Sequence, residues 1–322
     1  MNAGPDHQSL ETATLESPAG LRVEVLNLGA SLVALEIPAA SGRVNTVLRY
    51  PDLEDYRTDN VFMGVTVGPF ANRIRGARFA LDDISHELEA NEATSGHCLH
   101  GGTSGLHRQY FDLHTYPENS VVACRTVLPD GLGGFPGRRE VTVTYTLLGD
   151  LALAIDFDVV TDRDTVISLA NHAYFNLGGA LDDHELEICA DAYTPVDSSN
   201  APTGETRSVE GSEFDLRALQ ALGDTRFDHN FIVRGDGPEP RIAAILRSLE
   251  SGIQLTVLTT QPGLQLFTGD SLDAPFGNRA GLCLEAQGFP DAPNQPSFPS
   301  ARLNAGSAYR QRTIYVFAVR SS

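Results

Sequence analysis

Alternation of apolar and polar residues, repeated from one end of the chain to the other, constrains this sequence more than any other feature. It runs through Leu21/Val23/Val25, Val33/Leu35/Ile37, Val141/Val143/Tyr145/Leu147, Leu153/Ile155/Phe157/Val159, Ile253/Leu255/Val257 and Tyr315/Phe317/Val319. A period of two places every second side chain on one face of an extended strand, so these stretches read as half-buried antiparallel strands. Helical periodicity is limited to short candidates such as Asp215–Leu222, and Gly and Pro punctuate the intervals as turns. An all-β fold, a large sandwich of mostly antiparallel strands, follows. No linker, composition shift or fixed-period repeat divides the 322 residues, so one domain is the simplest reading, with the polar N-terminal segment (about 1–15) loosely held.

Charge and composition restrict the partners. A formal net charge of -19 repels polyphosphate backbones and anionic lipid, which argues against nucleic acid and membranes and leaves neutral ligands unaffected. All 23 basic side chains counted as Lys+Arg are arginines. Without lysine there is no Schiff base, no pyridoxal phosphate attachment and no P-loop. Cys98, Cys124, Cys189 and Cys283 stand far apart with no C-x-x-C pair, so free thiols are expected rather than a zinc ribbon or dithiol motif. The N-terminus has neither the basic nor the apolar region of a secretory signal, and no stretch is apolar for long enough to span a bilayer, which makes the cytoplasm the default compartment.

Two segments carry ionisable groups where a sandwich would expect apolar ones. In Gly281-Leu282-Cys283-Leu284-Glu285-Ala286-Gln287, Cys283, Glu285 and Gln287 share the face opposite Leu282, Leu284 and Ala286. In Asn171–Gly179 the same alternation groups His172, Tyr174 and Asn176. A Glu and a His on neighbouring strands are the parts of a metal-free acid/base pair, although a buried Glu paired with an arginine and a satisfied core histidine fit the same positions. Asn72 and Arg73 follow a Gly-Pro turn, where a guanidinium can reach out from rigid backbone, while Arg75 and Arg78 read as surface ion pairs. His97 and His100 are spaced as metal ligands would be on a helix, but Gly101-Gly102 place them in a strand-and-turn context. There His100 is better read as a ligand-facing donor and His97 as structural, with the glycines allowing a ligand close to the backbone. Asp228, leading into a strand, reads by itself as a turn cap.

The ordered set Ala71-Asn72-Arg73-Ile74, Leu99-His100-Gly101-Gly102, Asn171-His172-Ala173-Tyr174-Phe175-Asn176-Leu177, Asp228-His229-Asn230, Gln261-Pro262-Gly263 and Glu285 with Gln287, Pro290-Asp291 and Phe298-Pro299 resembles the aldose 1-epimerase (galactose mutarotase) family, from roughly Leu21 to Phe317. The resemblance implies that family's single-domain β-supersandwich, with a sugar held in an open cleft on one sheet. It implies Glu285 as general base, His172 as general acid, and Asn72, Arg73, His100, Asp228 and Gln287 as groups that bind the substrate, a small neutral monosaccharide such as D-galactose or D-glucose. No metal or other cofactor is implied, and the protein is expected as a monomer or homodimer. Pro69, Gln261, Phe267 and Tyr110-Phe111 depart from the family pattern, where arginine, glutamate, tyrosine and tryptophan are common.

Interconverting α and β anomers requires a base at the anomeric hydroxyl and an acid at the ring oxygen, each worth about 10²–10⁴-fold. Ordinary pKa values of about 4.3 for Glu and 6.5 for His would let carboxylate and imidazolium coexist in the window between them. Two other readings share the fold: a non-catalytic sugar-binding or sugar-sensing protein, and a glycoside hydrolase, which would need a second carboxylate near Glu285, with Asp228 the obvious candidate.

Overall fold

The computed structural model describes residues 8–39 and 42–320. Each alternating stretch is a strand: Arg22–Leu26, Ser31–Ala39, Arg139–Leu147, Ala152–Thr161, Ile253–Thr259 and Ala308–Val319. The last four sit in a nine-stranded antiparallel sheet. In spatial order this sheet runs Asp112–Tyr116, Val121–Leu128, Arg139–Leu147, Ala152–Thr161, Ala308–Val319, Ile253–Thr259, Arg241–Ser248, His184–Ile188 and Gln220–Ala221. A six-stranded sheet runs Tyr174–Phe175, Leu282–Gln287, Gly263–Phe267, Asp228–Val233, Ala190–Thr194 and Arg207–Ser208. A four-stranded sheet includes Thr12–Glu16, so the segment expected to be loosely held is a paired strand from Thr12 onward, and its residues 1–7 lie outside the described ones.

The principal core lies where these sheets face each other. Val143, Tyr145, Ile155, Phe157, Val257 and Phe317 from the long sheet pack with Phe231, Leu264, Leu266, Leu282 and Leu284 from the short one. Tyr145 donates to the Ala30 carbonyl at 2.6 Å, which satisfies its hydroxyl inside that core. The helix considered for Asp215–Leu222 does not form. Leu216 and Leu222 are drawn into the core, Arg217 turns back to bond Asp215 at 2.8 Å, and Gln220–Ala221 pairs with Glu185 and Leu186 at the sheet edge. Among the described residues no helix is long and apolar enough to cross a membrane. All four cysteines are free, as their spacing predicts.

The strand Leu282–Gln287 departs from the half-buried expectation because all six of its residues are buried. Leu282, Leu284 and Ala286 face the core, while Cys283 packs in a separate cluster with Tyr50, Tyr174 and Met63. Loops and short strands therefore cover the outer face of the six-stranded sheet, and the cleft opens among them.

Candidate active site

Ladder register decides which polar side chains meet. Glu285 pairs with Gln265, which pairs with Asn230; one step along, Tyr174, Cys283, Phe267 and Asp228 form the adjacent row. Asp228 and Glu285 thus stand near each other on one face of three adjoining strands. His172 lies between the short strands Ala170–Asn171 and Tyr174–Phe175, held through its backbone: its N–H donates to Val65 O at 2.9 Å and its carbonyl accepts from Gly64 N–H at 3.1 Å. This places His172 Nε2 3.8 Å from Glu285 Oε1, with both side chains buried. Asn176, grouped with them by alternation, points elsewhere, donating to the Ala280 carbonyl at 2.8 Å.

A cleft of about 620 Å³ opens above the pair, and Asn72, Arg73, His100 and Asp228 all line it. Arg73 is fixed from two sides. Its Nε lies 3.1 and 3.0 Å from the two Glu92 carboxylate oxygens, and its Nη1 lies 3.5 Å from Asp228 Oδ2. Gln265 holds Asp228 from the other side, donating to Oδ1 at 2.6 Å. Asp228 is therefore part of a Glu92–Arg73–Asp228–Gln265 network rather than a turn cap. Gln287 is placed differently. It is fully buried, does not line the cleft, and neither of its side-chain polar atoms has a partner.

His100 accepts a hydrogen bond on Nδ1 from the Asn72 backbone N–H at 3.0 Å. Burial, aided by the neighbouring His172, Arg73 and His107, holds its pKa well below the usual histidine value. Neutral His100 then carries its proton on Nε2 and acts as a donor. That bears on metal binding, because His100, His172 and Glu285 are the cluster with ligand spacing among the described residues, their ligand atoms within 4.8 Å of one another. A ligating nitrogen must offer a lone pair, and the tautomer of His100 denies it one. His97 is structural: its Nδ1 accepts from Gly76 N–H at 3.1 Å and its Nε2 meets Ser199 Oγ at 3.0 Å. Arg75 pairs with Asp197 at 2.8 Å, the surface role expected of it.

The glycines after His100 serve the chain and not a ligand. A Cβ on Gly101, at φ 87°, would lie 2.3 Å from the Gly68 carbonyl oxygen, and one on Gly102 would lie 2.7 Å from Glu89 Cβ. Four non-glycine cleft residues also hold left-handed backbone, Phe62 (φ 60°), Asn72 (φ 62°), His100 (φ 53°) and Asn200 (φ 60°), a strain that concentrates at functional sites. Phe62 was not evident from the sequence. Its ring lies 4.6 Å from that of His100 and 5.7 Å from that of His172, forming an aromatic wall of the cleft. Glu92 was equally hidden, in a polar loop with no periodicity to mark it.

Burial reorders the proton affinities expected from sequence. Desolvation, reinforced by Asp228 and opposed by Arg73, pushes the Glu285 carboxyl well above its ordinary value. Desolvation also pushes His172 down to about 4. The dry site therefore favours a neutral pair, Glu285 acid with His172 imidazole, over carboxylate with imidazolium.

Comparison with known proteins identifies the family over nearly the whole chain. The aldose 1-epimerase family model matches residues 11–316, and the chain belongs to that family of carbohydrate epimerases. It is 39% identical to the galactose mutarotase of Bos taurus over 319 residues, which cover 93% of this chain and 92% of the relative. It is 32% identical to the aldose 1-epimerase of Escherichia coli (strain K12), covering 97% and 96% of the two chains. The crystal structure of an aldose epimerase homologue from C. elegans superposes with a TM-score of 0.91 at 28% identity, covering 97% of this chain and 100% of that one.

Proposed function

We propose that this protein interconverts the α and β anomers of a free aldose, with Glu285 and His172 exchanging protons with the sugar and Asn72, Arg73, His100 and Asp228 holding its hydroxyls. The observation that carries this reading is the buried pair itself, 3.8 Å apart under a cleft lined by donors and acceptors. Ring opening begins when the Glu285 carboxylate takes the proton of the anomeric hydroxyl and His172 Nε2–H protonates the ring oxygen. The C1–O5 bond breaks and C1 becomes an aldehyde. Rotation about C1–C2 presents the other face, and reversing both transfers closes the ring as the opposite anomer.

One proton shared by the pair suffices for this cycle. With the ring closed it resides on His172; with the ring open it resides on Glu285, and both side chains are neutral. Burial favours the neutral arrangement. The neutral arrangement is the one that accompanies the open-chain aldehyde, and the carboxylate with imidazolium that opens the ring is the same single proton in its less favoured place. His100, as a neutral Nε2–H donor, and the Arg73 guanidinium supply hydrogen bonds to sugar oxygens without taking part in transfer. D-Galactose and D-glucose are the substrates we favour, taken up by a monomer or homodimer in the cytoplasm, with no metal or other cofactor. The fully buried Gln287 supports the floor under Glu285 rather than touching the sugar.

Polarimetry of freshly dissolved α-D-galactose tests the reading. The purified protein should speed the approach to equilibrium rotation and be indifferent to chelator. Binding of the sugar with no acceleration would establish the non-catalytic alternative instead.

A further inference from the structure

Cys283 lies two residues before Glu285 on the same strand and is fully buried. Its Sγ is 3.4 Å from Nδ1 of His172, the ring nitrogen turned away from Glu285. The residue directly opposite Cys283 in the ladder is Tyr174, whose hydroxyl donates to the Val61 carbonyl at 2.8 Å and so has no proton to offer the thiol.

Two arrangements of hydrogens fit these positions. In one, the thiol donates to Nδ1, and a neutral His172 carries its proton on Nε2. In the other, Nδ1–H donates to sulfur, and a neutral His172 leaves Nε2 bare. Only the second suits a residue that alternates between imidazolium and imidazole at the nitrogen facing the substrate. Nδ1 must then keep its proton in both states while Nε2 gains and loses one.

We propose that Cys283 is a positioning residue for His172, its sulfur accepting from Nδ1–H and so fixing the working tautomer. This rests on His172 being the group that protonates the ring oxygen. The sulfur is also a weak acceptor, so it orients the ring without the stabilisation of imidazolium that a carboxylate partner would bring. The other rings around His172 are Phe62 and His100, neither of which hydrogen-bonds its Nδ1.

Nitrogen-15 NMR of the full-length, histidine-labelled protein reads the tautomer directly, with the His172 signals assigned by their loss in His172→Asn. At neutral pH, His172 should show a protonated Nδ1 and a bare Nε2. In Cys283→Ala the tautomers should mix and kcat should fall about tenfold, with KM unchanged. Cys283→Ser, which can both accept and donate, should restore most of both. A wild-type His172 protonated on Nε2, or a Cys283→Ala protein with an unaltered tautomer, overturns the proposal. Full turnover in His172→Asn would instead overturn the acid assignment beneath it, while the tautomer measurement in the wild type stands by itself.

Discussion

The two large sheets use the same alternation and treat charge in opposite ways. On the nine-stranded sheet the residues facing away from the core include Asp156 and Asp158, which the register sets directly opposite Arg312 and Arg310. Arg312 meets both oxygens of Asp156, at 2.6 and 2.9 Å, and its side chain remains 47% exposed. On the six-stranded sheet the corresponding face is roofed over, and Glu285 is left with one oxygen lacking any partner and the other 3.8 Å from an imidazole. Water offsets imperfect pairing on the first sheet; on the second the charge of Arg73 opposes the cost of burying Glu285 without cancelling it. Poorly compensated buried polar groups cost stability, and they persist where function requires them. The comparison therefore predicts that substitutions on the two sheets act on different properties.

The largest effect is expected at the pair itself. Glu285→Gln keeps size and hydrogen bonding but cannot accept a proton, so turnover should fall by roughly two or more orders of magnitude while sugar still binds. His172→Asn should behave likewise, and the double variant should lose less than the product of the two losses, since both serve one cycle. Stopped polarimetry on each variant measures this. A Glu285→Gln protein with near-normal turnover would remove the distinction between the sheets.

Next come the clamp residues. Arg73→Ala and Asp228→Ala should each reduce kcat/KM by about ten- to a hundredfold, with both kcat and KM affected, because lost orientation shows in each. Wild-type kinetics in both would reduce the Glu92–Arg73–Asp228 network to a structural ion pair.

Why the two sheets were not equally legible in the sequence follows from what each depends on. The long sheet needs only a period of two, and Val141 through Leu147 or Leu153 through Val159 display it without interruption. Glu285 and His172 stood out for a related reason, being ionisable groups within apolar or aromatic runs. The network around them did not stand out. Glu92 reaches Arg73 from a loop, Gln265 reaches Asp228 across a ladder, and Phe62 reaches three histidine rings from left-handed backbone. Such contacts are set by register and loop path, which hydrophobic periodicity does not encode. The proton affinities escaped for the same reason: alternation predicted one buried face for Leu282–Gln287, whereas the loops bury both.

That second layer of burial has its own kinetic signature. The active state holds one proton on the pair, so activity should be bell-shaped in pH, lost on the acid side when a second proton is added and on the alkaline side when the last one leaves. With His172 pushed down to about 4 and Glu285 pushed up, the acid limb belongs to His172 and the alkaline limb to Glu285. Unperturbed side chains would give the reverse order. In His172→Asn only Glu285 titrates, and it acts as base only when ionised, so the residual activity should rise with pH through the raised Glu285 pKa and show no alkaline limb; a rise confined to the ordinary carboxylate range instead would restore the order expected from free side chains.

The smallest effect concerns stability, where the sign separates the sheets. Because folded Glu285 holds its proton to higher pH than the unfolded chain does, the folded state binds more protons above the ordinary carboxylate range, and stability falls as pH rises through that window. Each tenfold change in that affinity is worth about 1.4 kcal/mol. Glu285→Gln carries no such penalty. Its Tm should differ little from wild type at pH 4 and exceed it increasingly toward pH 8, making the inactive variant the more stable one. Asp156→Asn, which breaks an exposed ladder pair, should cost within about 1 kcal/mol and show no comparable rise across the same range. Thermal unfolding of the three proteins from pH 4 to pH 8 decides the matter. A Glu285→Gln difference that stays flat with pH would mean that the carboxylate is solvated after all, and that the cleft sheet manages its charge as the long sheet does.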